Sequence, residues 1–487
     1  MFLIDTENPR FRSWLRTAQY ALLTVLVVVG TIILVLAGQG YDFNRSTGEV
    51  IQNGLMLVNT RPENAVVTIN GEAEPDQTPG RFPLPAGDYE VGLNLDGYRP
   101  WSKKVSVSAN SVEWVYYPLL IPTELEPERV TVWRNLSFIS QSFNPRRVLV
   151  RQANKEPVFS LLQIDGAAVS DEQTLELPAD VANPSGGTVG TFAAVEWSGN
   201  SRYVLLTHQL GESIQFIRLD TEQPDESLNL SELFDLNLTE ARFIDSNPNQ
   251  LYAVANRDLR RLDVNQRTIS TPLAREVAAY ELMRDQFLTY LASAGGQLQL
   301  ELIDGNQQAR LLESDLDGAA SRYRISVGEF DRQFHVGLLD TRTDEVKIWR
   351  DPQANQTDQL PYVRFNAPGA SELSFSRNGQ FVLAQGGGSF ATYDLDRDRE
   401  YHFETPFSKT SDRLAEWLDG YRLLGFNKSG LMHAFEFDGA NVQPLVAADP
   451  AFSLFFAADF NGFYSLSPPT QAANKFLMYT SLVAEVN

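Results

Sequence analysis

The side chains with the most versatile chemistry are scarce in this chain. Among 487 residues there are four histidines, His208, His335, His402 and His433, and no cysteine. A serine nucleophile needs a base poised beside it, and no Gly-x-Ser-x-Gly turn accompanies any of the four. His335 and His433 sit in alternating, strand-like runs, where packing or solvent exposure accounts for them. Without cysteine there is no thiolate catalysis, no disulfide, no cysteine-based zinc site and no lipid attached through sulfur. The His-Glu-x-x-His, phosphate-loop and dinucleotide-glycine patterns are also absent. Gly386-Gly387-Gly388-Ser389 reads as a turn, because no helix signal follows to cradle a phosphate.

Two acidic runs remain. Glu313-Ser314-Asp315-Leu316-Asp317-Gly318 matches the first half of a calcium loop, but the twelfth position is Arg324 and no flanking helices are evident, so a surface turn is the better reading. Asp394-x-Asp396-x-Asp398 alternates with Arg397 and Arg399, which points to charge compensation within a loop. Paired carboxylates for glycoside hydrolysis cannot be picked out among 62 acidic residues. No catalytic, cofactor-binding or metal-binding residue is assigned, and no cofactor is expected.

These residues must be carried by a chain of two or more domains. Its composition, 43% hydrophobic and 21% charged, supplies ample apolar surface for cores. A net charge of −22 argues against binding nucleic acid, whose phosphates require a basic surface.

Thr17–Tyr41 contains no charged side chain, and its heart reads ALLTVLVVVGTIILVLAG. About 20 apolar residues at ~1.5 Å each match the ~30 Å core of a bilayer, so the stretch predicts one N-terminal transmembrane helix. Arg10, Arg12 and Arg16 precede it and only Arg45 follows closely, which predicts a cytoplasmic N-terminus and extracytoplasmic domains at the cell membrane. The expected organisation is a cytoplasmic stub (1–16), the span (17–41), a linker (42–52), a small β domain (53–120), a second linker (121–130) and a large β domain (131–487).

In the small domain, Gly54–Asn59, Ala65–Asn70, Asp88–Leu95 and Lys104–Ser108 are short β-rich runs with partial alternation. Asn70-Gly71, Thr78-Pro79-Gly80, Ala86-Gly87 and Asp96-Gly97 separate them as turns. The ordered motifs Pro62-Glu63-Asn64-Ala65, Val67-x-Ile69-Asn70-Gly71, Leu84-x-Ala86-Gly87-x-Tyr89-x-Val91 and Gly97-Tyr98 resemble the PEGA domain. Asn64 stands where the family's motif has glycine, and asparagine tolerates the left-handed backbone such a turn needs. The resemblance implies a small β-sandwich acting as a spacer or binding module, with no catalytic residues.

Beyond residue 131 a loose repeat appears. Val195-Glu-Trp-Ser-Gly-Asn-Ser-Arg-Tyr-Val-Leu-Leu, Leu373-Ser-Phe-Ser-Arg-Asn-Gly-Gln-Phe-Val-Leu-Ala and Ala415-Glu-Trp-Leu-Asp-Gly-Tyr-Arg-Leu-Leu each set an aromatic residue before a turn and resume with apolar residues. Third runs ending in aspartate follow, as in Gln215–Asp220, Phe334–Asp340, Phe390–Asp396 and His433–Asp438. Units begin near residues 136, 193, 240, 277, 320, 370, 412 and 453, a spacing typical of four-stranded propeller blades. With Leu339-Asp340-Thr341-Arg342-Thr343-x-x-Val346-Lys347-Ile348-Trp349, this texture resembles divergent WD-repeat-type β-propellers, although no Trp-Asp pair occurs. Eight blades are expected, with seven, or two packed sandwiches, as alternatives. The ring is expected to close by pairing Val130–Leu136 with Lys475–Val483.

The expected fold class is therefore an all-β ectodomain, a small β-sandwich plus a β-propeller, behind one transmembrane helix. The function expected from this organisation is that of a non-enzymatic, membrane-anchored surface protein whose propeller binds a protein or glycan of the envelope. The rival readings are a propeller hydrolase or lyase acting on envelope polysaccharide, which would need three or more carboxylates converging in one deep pocket with perturbed titration, and a structural or assembly subunit. The oligomeric state is open.

Overall fold

The computed structural model describes residues 9–38, 41–43, 50–153, 157–182, 190–244, 247–283, 287–304, 309–352, 360–405, 413–469 and 474–484. They form two compact units, Met1–Thr123 with Ala484–Asn487, and Glu124–Val483.

The N-terminal helix runs from Pro9 to Gly38. Among the described residues, however, no helix is long and apolar enough to cross a membrane. The expected transmembrane anchor is therefore overturned, and with it the cytoplasmic N-terminus and the extracytoplasmic placement at the cell membrane. The expected stub also changes: residues 1–8 lie outside the described residues, and the helix already begins at Pro9.

Among the described residues the first unit holds two four-stranded sheets. One joins Val50–Val58 to Tyr41–Phe43 and Gly80–Pro85 antiparallel, and to Val112–Val115 in parallel. The other runs Glu72–Gln77, Val66–Ile69, Gly87–Asn94, Trp101–Val107. Met56, Val58, Phe82 and Val115 are buried on the first sheet; Val67, Ile69, Val91, Leu93, Trp101, Val105 and Val107 are buried on the second. The two sheets approach so closely at Gly54 that a Cβ there would lie 2.5 Å from Val107 Cγ1. Asn70 (φ 51°) and Gly71 (φ 84°) form the two-residue hairpin that their types predict. Asn64 has φ 69°, the left-handed backbone expected at its turn. The expected linker 42–52 is strand at its described ends, while residues 44–49 lie outside the described residues. Glu72–Gln77 and Val112–Val115 lack clear alternation, and Gly80–Pro85 alternates buried and exposed residues but follows directly on the Thr78-Pro79-Gly80 turn signal.

The second unit contains, among the described residues, eight four-stranded antiparallel sheets. Their first strands begin at residues 136, 191, 238, 277, 323, 372, 416 and 455, within four residues of every expected start. The eighth sheet consists of Phe455–Phe456, Gly462–Leu466, Asn474–Ser481 and Pro127–Arg134. Lys475 pairs with Trp133 and Phe476 with Val132, so the two ends of the unit meet in one sheet, as expected. The expected linker 121–130 is thus strand from Pro127 onward. Sequential four-stranded sheets with a shared closing sheet are the architecture of a β-propeller. One assignment changes: Phe334–Asp340 belongs to the second strand of the fifth sheet, Gln333–Asp340, and not to a third strand.

The cores lie between neighbouring sheets. Trp133, Leu477, Tyr464 and Leu466 of the eighth sheet pack with Val148, Val150 and Leu162 of the first. Leu205 and Phe216 of the second pack with Phe243, Leu251 and Leu262 of the third. Burying such side chains contributes roughly 1.5–3 kcal/mol each, which makes sheet-to-sheet packing the main force holding the ring.

Candidate functional site

First strands of neighbouring sheets lie against one another: Leu136–Gln141 beside Thr191–Trp197, Thr191–Trp197 beside Leu238–Ile244, and Val277–Met283 beside Tyr323–Phe330. They form the inner wall of the propeller. Near their C-terminal ends a belt of polar side chains stitches one sheet to the next. Gln141 Nε2 donates to the Phe456 carbonyl (2.9 Å), and Trp197 Nε1 to Ser140 Oγ (3.0 Å). Trp417 Nε1 donates to Ser374 Oγ (3.1 Å). Glu416 is held by Arg413 Nη2 (2.7 Å) and Ser453 Oγ (2.8 Å).

On the second, third and fourth sheets the belt becomes a charge cluster. Arg242 donates through Nε to Glu196 (3.0 Å) and lies 3.9 Å from Glu281. Glu196 also accepts the Phe243 amide. Glu196 and Glu281 thus share one guanidinium, Glu240 lies two residues before Arg242 on the same strand, and each of the three sheets contributes one of the three carboxylates. Burial pushes Glu240 up to about 7, against the pull of Arg242 and with the push of Glu281. Burial likewise raises Glu281, with Arg242 opposing and Glu196 adding. Burial works against the Arg242 charge, but Glu196 and Glu281 outweigh it and raise its pKa. Tyr280 closes the cluster, its hydroxyl donating to the Tyr252 carbonyl (3.1 Å), and burial holds it well above an ordinary phenol. A glutamate near 7 can both accept and release a proton at neutral pH, and it hydrogen-bonds hydroxyls in either state.

The residues weighed from sequence fall elsewhere. His208 is fully buried, stacked on Phe192 at 4.0 Å, and burial followed by Arg151 lowers it to about 4. His335 is buried with Nδ1 3.1 Å from the Gln333 carbonyl, and burial lowers it to about 4. His433 is half-buried and also lowered by burial. His402 is exposed beside Glu400. Glu313 pairs with Lys347 (3.2 Å), and Asp317 with Arg322 (3.7 Å) and Arg342 (3.5 Å), so counter-charges, at opposite ends of the run, meet the carboxylates of the calcium-like stretch. Among the described residues no group of three or more metal-ligating side chains is placed to hold a metal ion. Asp394 is buried against backbone amides, with Arg397 favouring its charged form, and Asp398 accepts from Tyr362 and Tyr393.

The cluster had one faint sequence signal. Glu196 and Glu416 both precede the tryptophan of a repeated motif and occupy the same place on the belt. Glu240, Arg242 and Glu281 had none, since nothing in their flanks separates them from other charged residues. One cleft of about 320 Å³ lies beside the sixth sheet, walled by Ala367, Ala370, Ala384 and Ala391, and another of about 660 Å³ has Glu212, Glu232 and Asp235 at its rim and reaches Thr239, next to Glu240.

Among solved structures, the chain is similar to the Dos1 propeller (10% identity, 74% of this chain and 96% of that one, TM-score 0.46). It is also similar to the C-terminal WD40 domain of Sif2 (11%, 72% and 97%, TM-score 0.46) and to an oligogalacturonate lyase in complex with manganese (10%, 73% and 98%, TM-score 0.39). At this level of likeness neither ligand nor activity transfers, and the fold rests on the strand pairing described above. No curated protein matches the chain. For the first unit the comparison is direct: residues 53–121, which include the Pro62–Ala65 turn, match the PEGA domain family and precede the β-propeller.

Proposed function

We propose that this chain is a binding protein in which a PEGA domain accompanies an eight-bladed propeller, and that the propeller takes a protein or glycan ligand at the inner-strand cluster of Glu196, Glu240, Arg242 and Glu281. The observation that carries the reading is the gathering of carboxylates from three sheets around Arg242, with Glu240 raised by burial to about 7. A carboxyl group in that state hydrogen-bonds the hydroxyls of a glycan and, ionised, pairs with the basic side chains of a protein. The overall charge of −22 favours such partners and disfavours nucleic acid. The test is binding of the full chain to a glycan array and to a panel of basic and acidic peptides, repeated with Glu196→Gln, Glu240→Gln and Glu281→Gln together. A ligand whose affinity falls tenfold or more in the triple variant supports the site, and one bound equally by both proteins removes it.

A second reading is favoured by one feature, the position of Glu240 near 7. In a hydrolase or lyase acting on polysaccharide, such a group would serve as general acid or base, a role worth roughly 10²–10⁴-fold in rate. Under this reading, release of reducing or unsaturated ends from a polysaccharide panel is abolished by Glu240→Gln. A chain that binds a glycan without turning it over returns the assignment to the binding protein.

A further inference from the structure

The aspartate that ends the third strand of a sheet recurs along the propeller, and its partner changes. In the first sheet Asp165 meets Arg146 at 3.7 Å, in the second Asp220 meets Arg202 at 2.6 Å, and in the fourth Asp304 meets Arg310. In the sixth sheet Asp394 meets Gln380 Nε2 at 3.0 Å. The exchange is visible in the repeat, where Asn200-Ser201-Arg202-Tyr203 aligns with Asn378-Gly379-Gln380-Phe381. Asp394 is also deeply buried, 1% exposed. Its Oδ1 accepts from Gln380 and from the amides of Asp396 (3.0 Å) and Arg397 (3.4 Å). Its Oδ2 is buried and has no hydrogen-bond partner among the described residues. At Asp220 both oxygens are used: Oδ1 receives Arg202 Nε and the Glu222 and Gln223 amides, and Oδ2 receives Arg202 Nη2.

An ionised carboxylate with one oxygen sealed from water and from donors is costly, whereas a carboxylic acid carries no charge to desolvate. We propose that the turn following Asp394 is a proton-sensitive latch, held closed when Asp394 carries a proton and loosened when it ionises, the opposite of the arginine-held turn at Asp220. The groups acting on Asp394 are Asp396 and Arg397 in its own turn, Tyr393 beside it on the third strand, Tyr401 on the fourth strand, and Tyr421 of the seventh sheet, with Asp398, Asp419 and Asp438 beyond the three tyrosines. Arg397 is the cation that favours the charged form, and Asp396 opposes it. Burial raises Asp394 despite Gln380 and the Asp396 amide. At Asp220 burial also pushes upward, but Arg202 and the two amides win and hold it below the usual range. The signs follow. A raised carboxyl contributes stability below its unfolded value and loses it as pH rises, and a depressed one does the reverse.

The test is amide hydrogen exchange on the full chain between about pH 4.5 and about pH 8, corrected for intrinsic exchange, where protection reports local opening. Protection at Asp396 and Arg397 is expected to fall tenfold or more as pH rises, while that at Glu222 and Gln223 holds. In Asp394→Asn protection stays high at all pH values, and in Gln380→Arg, which restores the guanidinium, the loss at high pH disappears. Flat protection at Asp396 and Arg397 in the unmodified chain, or a profile parallel to that of Glu222 and Gln223, overturns the latch. The comparison of the two turns in the unmodified chain decides the matter even where a variant fails to fold.

Discussion

An ionised glutamate at position 240 would join Glu196 and Glu281 around Arg242, and the charge balance of that group sets how it responds to pH. Glu240 sits at about 7, above its unfolded value, so the stability it allows is full below ordinary glutamate pKa values and is lost as pH rises through 7. Glu240→Gln removes that loss. Urea unfolding should show it about 1–2 kcal/mol more stable than the parent at pH ~8 and indistinguishable at pH ~4, the figure being reduced for partial solvation. Arg242→Ala has the contrary effect, because it strips Glu196 and Glu281 of their shared cation. A cost of about 2–3 kcal/mol is expected at pH ~8, shrinking toward pH ~5 as the raised carboxyl groups take up protons.

At the scale of the strand and the turn, the hairpin locks decide how firmly each sheet is closed. Arg202 reaches Asp220 by a bidentate pair while its own side chain is 29% exposed. Arg202→Ala should cost about 2 kcal/mol at neutral pH, below the figure for a fully buried pair. Because the Asp220 carboxyl is depressed in the fold, that contribution is complete above ordinary aspartate values and vanishes as pH falls through the folded value. Thermal melts of both proteins should therefore converge only in strong acid. The tryptophan stitches are weaker. Trp417→Phe removes the bond to Ser374 while keeping the ring, and a loss near 1 kcal/mol is expected, with Ser374→Ala adding little on top of it.

For the whole molecule the decisive contact is the closing sheet. Removing Asn474–Ser481 unpairs Pro127–Arg134 and uncovers Trp133, which is 5% exposed and packed with Val148, Val150 and Leu477. Deletion of that strand should red-shift tryptophan emission and broaden propeller unfolding. The PEGA domain takes no residue from that strand, so the unfolding of residues 53–121 is expected to remain. A sharp, unshifted propeller transition after the deletion would show that the ring does not depend on its closure.

Local chemistry was enough to read much of this from the chain. Asn70-Gly71 had to turn tightly, Asn64 could take a left-handed backbone, and repeats setting an aromatic residue before a turn, with apolar runs resuming after it, marked where sheets begin. Such features depend on neighbours in sequence, so they are written there. The apolar run from Thr17 showed the limit of hydropathy: it predicted a helix, and a helix starts at Pro9, but among the described residues none is long and apolar enough to span a membrane. Glu196, Glu240, Arg242 and Glu281 meet across three sheets, and Gln380 leaves an oxygen of Asp394 bare only because the sixth sheet buries it. Those relations depend on distance and burial between residues far apart in the chain, and these only the tertiary structure decides.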